Sequence, residues 1–182
     1  MIRVNGSVNI NANPQQVFAL ISDVHQCGEL NPWIKVINIT AEPAGQMRAG
    51  TIYHYRIVVE GRMTEYTSKV LAFEPDRVIE IQTDTDPVVN IKYRLAPIAE
   101  GSHLEQEMTS SVKGPQPAQV VLPGWFAKLM GNLVKEVRSP EQNEVLLRQE
   151  EAMTQQQLQA QLDEWLAIVK KYLEDQRDTF LA

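Results

Sequence analysis

Between residues 52 and 110 five consecutive segments alternate apolar with polar side chains, and only short breaks, "EGR", "EPDR", "DTDP" and "AEGS", separate them. Alternation with period two puts successive side chains on opposite faces of a strand, and breaks this short leave room only for hairpin turns. The chain is therefore committed to an antiparallel meander with two unlike faces. One face carries Tyr53, Tyr55, Ile57 and Val59, then Thr64, Tyr66, Ser68 and Val70, then Ile79, Ile81 and Thr83. It continues with Val89, Ile91, Tyr93 and Leu95, and with Leu104, Gln106, Met108 and Ser110. The other face, with Arg56, Glu65, Lys69, Glu80, Lys92, Arg94, Glu105 and Glu107, belongs in water.

The flanks supply the rest of a fold. Ile2, Val4, Val8 and Ile10 alternate with Arg3, Asn5, Ser7 and Asn9 as a further half-buried strand, in which Gly6 reads as a bend or bulge. In "NPQQVFALISDV", Asn13 suits a helix cap, Pro14 the first turn and Gln16 the glutamine of a capping box. The apolar pattern falters at Gly28 and stops at "NPWI", because a residue before proline is pushed out of helical geometry. Two short helices, about 14–24 and 26–31, are expected to wedge under the open end of a curved sheet, with Trp33 sealing the junction. Beyond Gly114, "VVLPGWFAKLMGNLVKEV" forms one apolar helical stripe. "SPEQ" at 139–142 repeats the cap-proline-glutamine signal and starts a long helix reaching about Glu174. Leu158, Leu162, Trp165, Val169 and Tyr172 form its buried stripe, while the polar middle, Gln155 to Gln161, reads as a solvated face.

Several functions are disfavoured by what the chain carries. A formal charge of -6 is wrong for nucleic acid, whose phosphates need clustered Lys and Arg. No apolar run approaches the roughly 20 residues of a membrane-spanning helix. The start "MIRVNGSVNI" lacks the form of a signal peptide, and a lone cysteine builds no internal disulfide framework, so a cytoplasmic location is expected. His25, His54 and His103 make no metal-ligand spacing with Cys27 or a carboxylate, so no metal and no cofactor is expected. His25 and Cys27 stand two apart on a helix and point apart, which leaves Cys27 as a small buried hydrophobe. The acids of "DTDP" read as solvated turn formers, and no glycine-rich phosphate loop follows a strand.

The order strand, two short helices, six antiparallel strands and long C-terminal helix resembles the SRPBCC superfamily. Its polyketide cyclase/dehydrase and lipid-transport family is the nearest in wording, matched by "ANPQQVFALISDV", "LNPWIKVI" and "LDEWLAIVKKYLE". The resemblance covers about 1–114 and 158–175; the stretch 115–157 departs from it as a longer, more segmented helical insertion. It implies an α+β helix-grip fold, with a curved seven-stranded antiparallel sheet around the C-terminal helix and a single domain over 1–182. It also implies an apolar cavity between sheet and helix. The residues on the inward face fit that expectation, because close-packed cores prefer aliphatic side chains and a buried hydroxyl needs a partner. Candidate ligand contacts are Tyr53, Tyr55, Tyr66, Ser68, Tyr93, Gln106, Met108 and Trp165, joined by Trp125 and Phe126 from the insertion. The alternative is that the tyrosines merely carry their hydroxyls to water at the sheet rim.

Such a domain is expected to bind or transport a hydrophobic small molecule, lipid-, quinone- or polyketide-like. An aromatase/cyclase-type enzyme would use the same cavity, and a cochaperone-like interaction module is the third reading. The inward faces contain no His, Asp or Glu, which favours the carrier over the enzyme and leaves no residue assigned a catalytic role. The stripe Trp125, Phe126, Leu129 and Met130 reads equally as a lid hinged at Gly114 and Gly124 or as a homodimer surface over 120–137. Plain core is a further reading, and contact with a membrane surface ranks last.

Overall fold

The computed structural model describes residues 1–59, 61–85, 87–111 and 140–180, with side chains described up to 110 and over 152–176. Seven strands are present: β1 (Ile2–Ile10), β2 (Lys35–Glu42), β3 (Ile52–Val59), β4 (Arg62–Glu74), β5 (Val78–Thr83), β6 (Val88–Ile98) and β7 (Gly101–Ser111). Helices α1 (Pro14–Ser22) and α2 (Val24–Leu30) follow β1, and α3 (Pro140–Phe180) lies near the C-terminus. All neighbouring strands are antiparallel, in the order β1-β7-β6-β5-β4-β3-β2. This is the helix-grip architecture that the family resemblance implies, built on the antiparallel meander expected from the hairpin pattern.

Two register shifts curve the sheet, between Val36 and Asn38 in β2 and between Val70 and Ala72 in β4. A bulge bends its strand and raises local twist. Here each also turns an apolar residue, Ile37 and Leu71, out to solvent. After the second bulge the inward parity changes, and Phe73 meets Phe18 of α1 edge to face at 5.3 Å. The outer face is laced by ion pairs between neighbouring strands: Arg56–Glu65 at 2.6 Å, Lys92–Glu80 at 2.8 Å and Arg3–Glu107 at 2.9 Å.

The capping box of α1 forms as its sequence suggests, with Asn13 Oδ1 accepting from Gln16 N at 2.9 Å and Gln16 Oε1 accepting from Asn13 N at 3.2 Å. The break between the helices falls at Asp23, earlier than the expected 24/26 boundary. Asp23 ends α1, and its carboxylate accepts from His25 N and Gln26 N, both at 3.0 Å, to start α2. The break has a purpose in packing. It lets α1 lie against β6 and β7 while α2 turns onto β2, so the pair bridges the two wings of the curved sheet.

Helix α3 is described from Pro140 and extends to Phe180 rather than ending near Glu174; the "SPEQ" start signal reaches back to Ser139, outside the described residues. Leu158, Leu162, Trp165, Leu166, Val169 and Leu173 are buried along one stripe. Each such burial is worth about 1.5–3 kcal/mol. Tyr172 is half-buried, and its hydroxyl accepts from Gln26 Nε2 at 2.6 Å, which ties α3 to α2.

Two expectations change. Gly6 marks no bulge, since β1 keeps register with β7 from Ile2 to Ile10. It is instead where α3 approaches the sheet, because a Cβ there would stand 2.8 Å from Leu166 Cδ1. The polar middle of α3 is likewise more than a solvated face. Gln155 Nε2 donates to Arg3 O at 3.1 Å and Gln159 Nε2 to Asn5 O at 2.8 Å, occupying carbonyls of the edge strand β1. An edge strand left open is a template for unwanted pairing, and these glutamines cover it. The Trp125–Met130 stripe, its hinges at Gly114 and Gly124, and the break at Ser139 lie outside the described residues.

Candidate functional site

A cavity of about 170 Å³ lies between the inward face of the sheet, α2 with the segment after it, and α3. The sheet supplies its floor through the alternation already noted. Tyr55 and Tyr66 are direct cross-strand partners, and their rings stack at 4.6 Å with 4° between planes. Tyr93 stands opposite Gln106, and Ile91 opposite Met108, on the paired strands β6 and β7. Val24, Cys27, Asn31 and Trp33 close one side, and Gln161, Leu162 and Trp165 of α3 close another. The three tyrosines point inward yet are only half-buried, because each borders this void.

Seven of the candidate contacts, Tyr55, Tyr66, Ser68, Tyr93, Gln106, Met108 and Trp165, meet at this one cavity. Tyr53 does not. It is buried in the core beside Tyr55, with ring centres 6.3 Å apart, on the side toward Asp23. Trp125 and Phe126 lie outside the described residues. Trp33, expected as a buried anchor, is half-buried at the cavity wall, its backbone N–H donating to Asn31 Oδ1 at 3.0 Å. Sequence reasoning missed the α2 wall and Gln161. The second was within reach, because Gln161 precedes Trp165 by one helical turn and so shares its face.

The described wall holds polar groups but no charged side chain. Among its described residues there is no Asp, Glu, His, Lys or Arg. The Ser68 hydroxyl donates to the Tyr55 hydroxyl oxygen at 3.2 Å. Burial pushes the Cys27 thiol up to about 12, and the Asp23 carboxylate adds to the shift. Burial also raises Tyr55, against a partly compensating hydrogen bond from Ser68. Tyr66 is raised well above its ordinary value by burial and then by Tyr55. For Tyr93 burial again dominates, with Cys27 and Tyr55 adding and a hydrogen bond from Trp165 opposing. Every ionisable group described on the wall is therefore neutral at physiological pH.

Two acceptors are left without partners: Gln106 Oε1 on β7 and Gln161 Oε1 on α3, both buried atoms of cavity-lining side chains. A buried acceptor without a donor costs about 1–3 kcal/mol. The histidines are elsewhere. His103 Nδ1 lies 2.6 Å from Asn9 Oδ1, His54 Nε2 lies 3.6 Å from Glu42, and His25 is exposed. No group among the described residues gathers metal ligands. Asp84 is exposed, but its carboxylate accepts from Thr67 N of β4 at 2.8 Å instead of from its own turn; Asp86 lies outside the described residues. No helix among the described residues is long and apolar enough to cross a membrane.

Comparison with known proteins places this geometry. The profile of the polyketide cyclase/dehydrase and lipid transport family matches residues 1–140. No curated protein matches in sequence. Solved structures share the fold at low identity. Ara h 8.0201 is 13% identical with a TM-score of 0.58, over 94% of this chain and 96% of that one. A polyketide-cyclase-like protein from Corynebacterium glutamicum is 20% identical with a TM-score of 0.59, over 97% and 94%. The di-domain ARO/CYC StfQ from the steffimycin biosynthetic pathway is 11% identical with a TM-score of 0.66, over 97% of this chain and 52% of its own. At these identities the likeness is one of fold.

Proposed function

Because the chain belongs to the polyketide cyclase/dehydrase and lipid-transport family, whose fold is that of a hydrophobic-ligand-binding domain, we propose that it binds and carries one small neutral hydrophobe in the cavity over β3–β7. The observation that carries this reading is the wall itself: apolar and aromatic, with a few hydroxyl and amide groups and no described charge. Such walls bury a ligand's carbon surface and use few polar groups for orientation. The volume of about 170 Å³ favours a compact ligand, since an engineered apolar cavity of about 150 Å³ takes benzene.

Carrying is favoured over catalysis because no described wall group titrates near neutrality. General acid–base work needs a group whose pKa lies near the working pH, and burial moves Cys27 and the three tyrosines the other way. A cyclase would instead have to use the Ser68–Tyr55 hydroxyl pair and Gln106 to hold water or an enol in place. That reading predicts cyclised product when a linear poly-β-ketone analogue is incubated with the protein. An interaction module would need an apolar outer patch, whereas the described outer sheet face is laced with ion pairs. A cytoplasmic location, a single domain over 1–182, and the 120–137 stripe as lid or dimer surface remain parts of this proposal.

The test is uptake of naphthalene, followed by its fluorescence, in the parent and in Met108→Trp. Met108 is buried at the cavity floor, so the larger ring fills the void. Saturable uptake by the parent and loss in a folded Met108→Trp support the reading. Equal uptake by both would remove the cavity as the binding site.

A further inference from the structure

The hydroxyls on the cavity floor say more about the ligand than the cavity's size does. Among the described residues the Tyr66 hydroxyl has no hydrogen-bond partner, although its ring stacks on Tyr55 and borders the cavity. It is not sealed in, because the described side-chain atoms that are both sealed and unpartnered are Gln106 Oε1 and Gln161 Oε1. The phenolic O–H of Tyr66 therefore opens into the void. Beside it, the Tyr55 oxygen accepts from Ser68 Oγ at 3.2 Å, and the Tyr93 oxygen takes the Trp165 indole N–H. Both oxygens are thus supplied with a proton, while neither phenol has an acceptor for its own among the described residues. Burial keeps all three phenols protonated. The acceptors of the wall, by contrast, are occupied or out of reach. Asn31 Oδ1 takes the Trp33 backbone N–H, Thr83 Oγ1 takes that of Val89, and the two glutamine oxygens are sealed.

We propose that the cavity selects a compact apolar molecule carrying a hydrogen-bond acceptor, a carbonyl oxygen above all, and that the Tyr66 hydroxyl donates to it. The inference rests on the small-molecule reading above and narrows it. A hydrocarbon would displace water from the phenolic protons and leave them bare, at the full desolvation penalty of a buried donor. A molecule with only donors to offer meets oxygens that are already occupied. A carbonyl oxygen has two lone pairs and no proton, so it answers the Tyr66 O–H and has room for a second phenol. Recognition of this kind is selective, because an analogue lacking the oxygen strands the hydroxyl as well as losing the bond.

The experiment compares three bicyclic probes of similar size on the full chain: indane, 1-indanone, which adds a carbonyl, and indole, which offers only an N–H. Binding is titrated by calorimetry to the parent and to Tyr66→Phe, which keeps the ring and removes the hydroxyl. Infrared difference spectra read the carbonyl stretch of bound 1-indanone. The expected stretch in the parent lies at lower frequency than in hexane and moves back up in Tyr66→Phe. The ratio of 1-indanone to indane affinity should fall about tenfold in the variant, roughly the yield of one buried hydrogen bond, and the ratio of indole to indane should not. A hexane-like stretch in the parent, or a ratio that Tyr66→Phe leaves alone, would overturn acceptor recognition, while binding of indane would keep the small-molecule reading standing. Failure of all three probes and of naphthalene to bind would overturn both. Where the variant does not fold, the stretch in the unaltered chain still decides between a bonded and a free carbonyl.

Discussion

Replacing Gly6 by alanine probes how α3 grips the sheet. The new Cβ would stand 2.8 Å from Leu166 Cδ1, 3.3 Å from Leu162 Cγ and 3.3 Å from Asp163 Oδ1. The first distance is closer than real Cβ atoms come to a carbon, so something must move. Leu162 and Leu166 are only 4% and 3% exposed, so both belong to the packed stripe of α3, although Leu162 also borders the cavity. Overpacking of this kind costs about 1–3 kcal/mol, offset by roughly 0.4–1 kcal/mol from the lower entropy of the unfolded chain. A net loss of about 1–2 kcal/mol is therefore expected in urea unfolding, as a lower midpoint with an unchanged slope. Gly6 pairs with Gln106 across the β1–β7 ladder, so pushing α3 outward should also weaken ligand uptake. Leu166→Ala removes the nearest contacted atom, and its cost should be clearly smaller in the Gly6→Ala background than alone. An unchanged or raised midpoint for Gly6→Ala, or strict additivity with Leu166→Ala, would refute the close approach of helix and edge strand.

Stability should be level near neutral pH and fall as the solution turns alkaline. Folding raises the Cys27 thiol from 9.0 to about 12, so this group's contribution is fully present below about pH 9 and is lost as pH rises through the folded value. The raised tyrosines act with the same sign, and urea midpoints across pH 7–11 would check it. Trp33→Ala should cost less than the roughly 3–5 kcal/mol of a fully buried tryptophan, since the ring is half-buried, while it weakens ligand uptake. Gln155→Ala with Gln159→Ala uncovers two carbonyls of β1. We expect about 1–2 kcal/mol of destabilisation in urea and faster amide exchange in β1, with no change in ligand affinity.

Period-two patterning made the sheet readable, since inward and outward sets separate from β3 to β7 apart from the parity change at the β4 bulge, and the turns between them are short. Capping chemistry made the start of α1 readable for the same reason, being written into neighbouring residues. Contacts between distant segments were harder. Gly6 looked like a local defect because the pressure on it comes from Leu166, far away in the chain. Gln155 and Gln159 looked solvated because their partners are carbonyls of β1, which leave no mark in the local sequence. Tyr53 shares its strand face with Tyr55, yet lies outside the cavity lining, because periodicity gives the face of a strand but not the position along it where the void begins. Asp23 was misjudged as an interior helix residue because the apolar pattern continues through it. Its carboxylate nonetheless ends one helix and starts the next.

The central claim is that one small neutral molecule occupies the cavity between the sheet and α3. Native mass spectrometry of the freshly purified chain, before and after organic extraction, tests it most directly. The account predicts a single extractable adduct of the size of a one- or two-ring compound, one per chain, replaceable by naphthalene and absent from Met108→Trp. A chain that carries no adduct and takes up no naphthalene, or an adduct that persists in Met108→Trp, would contradict it.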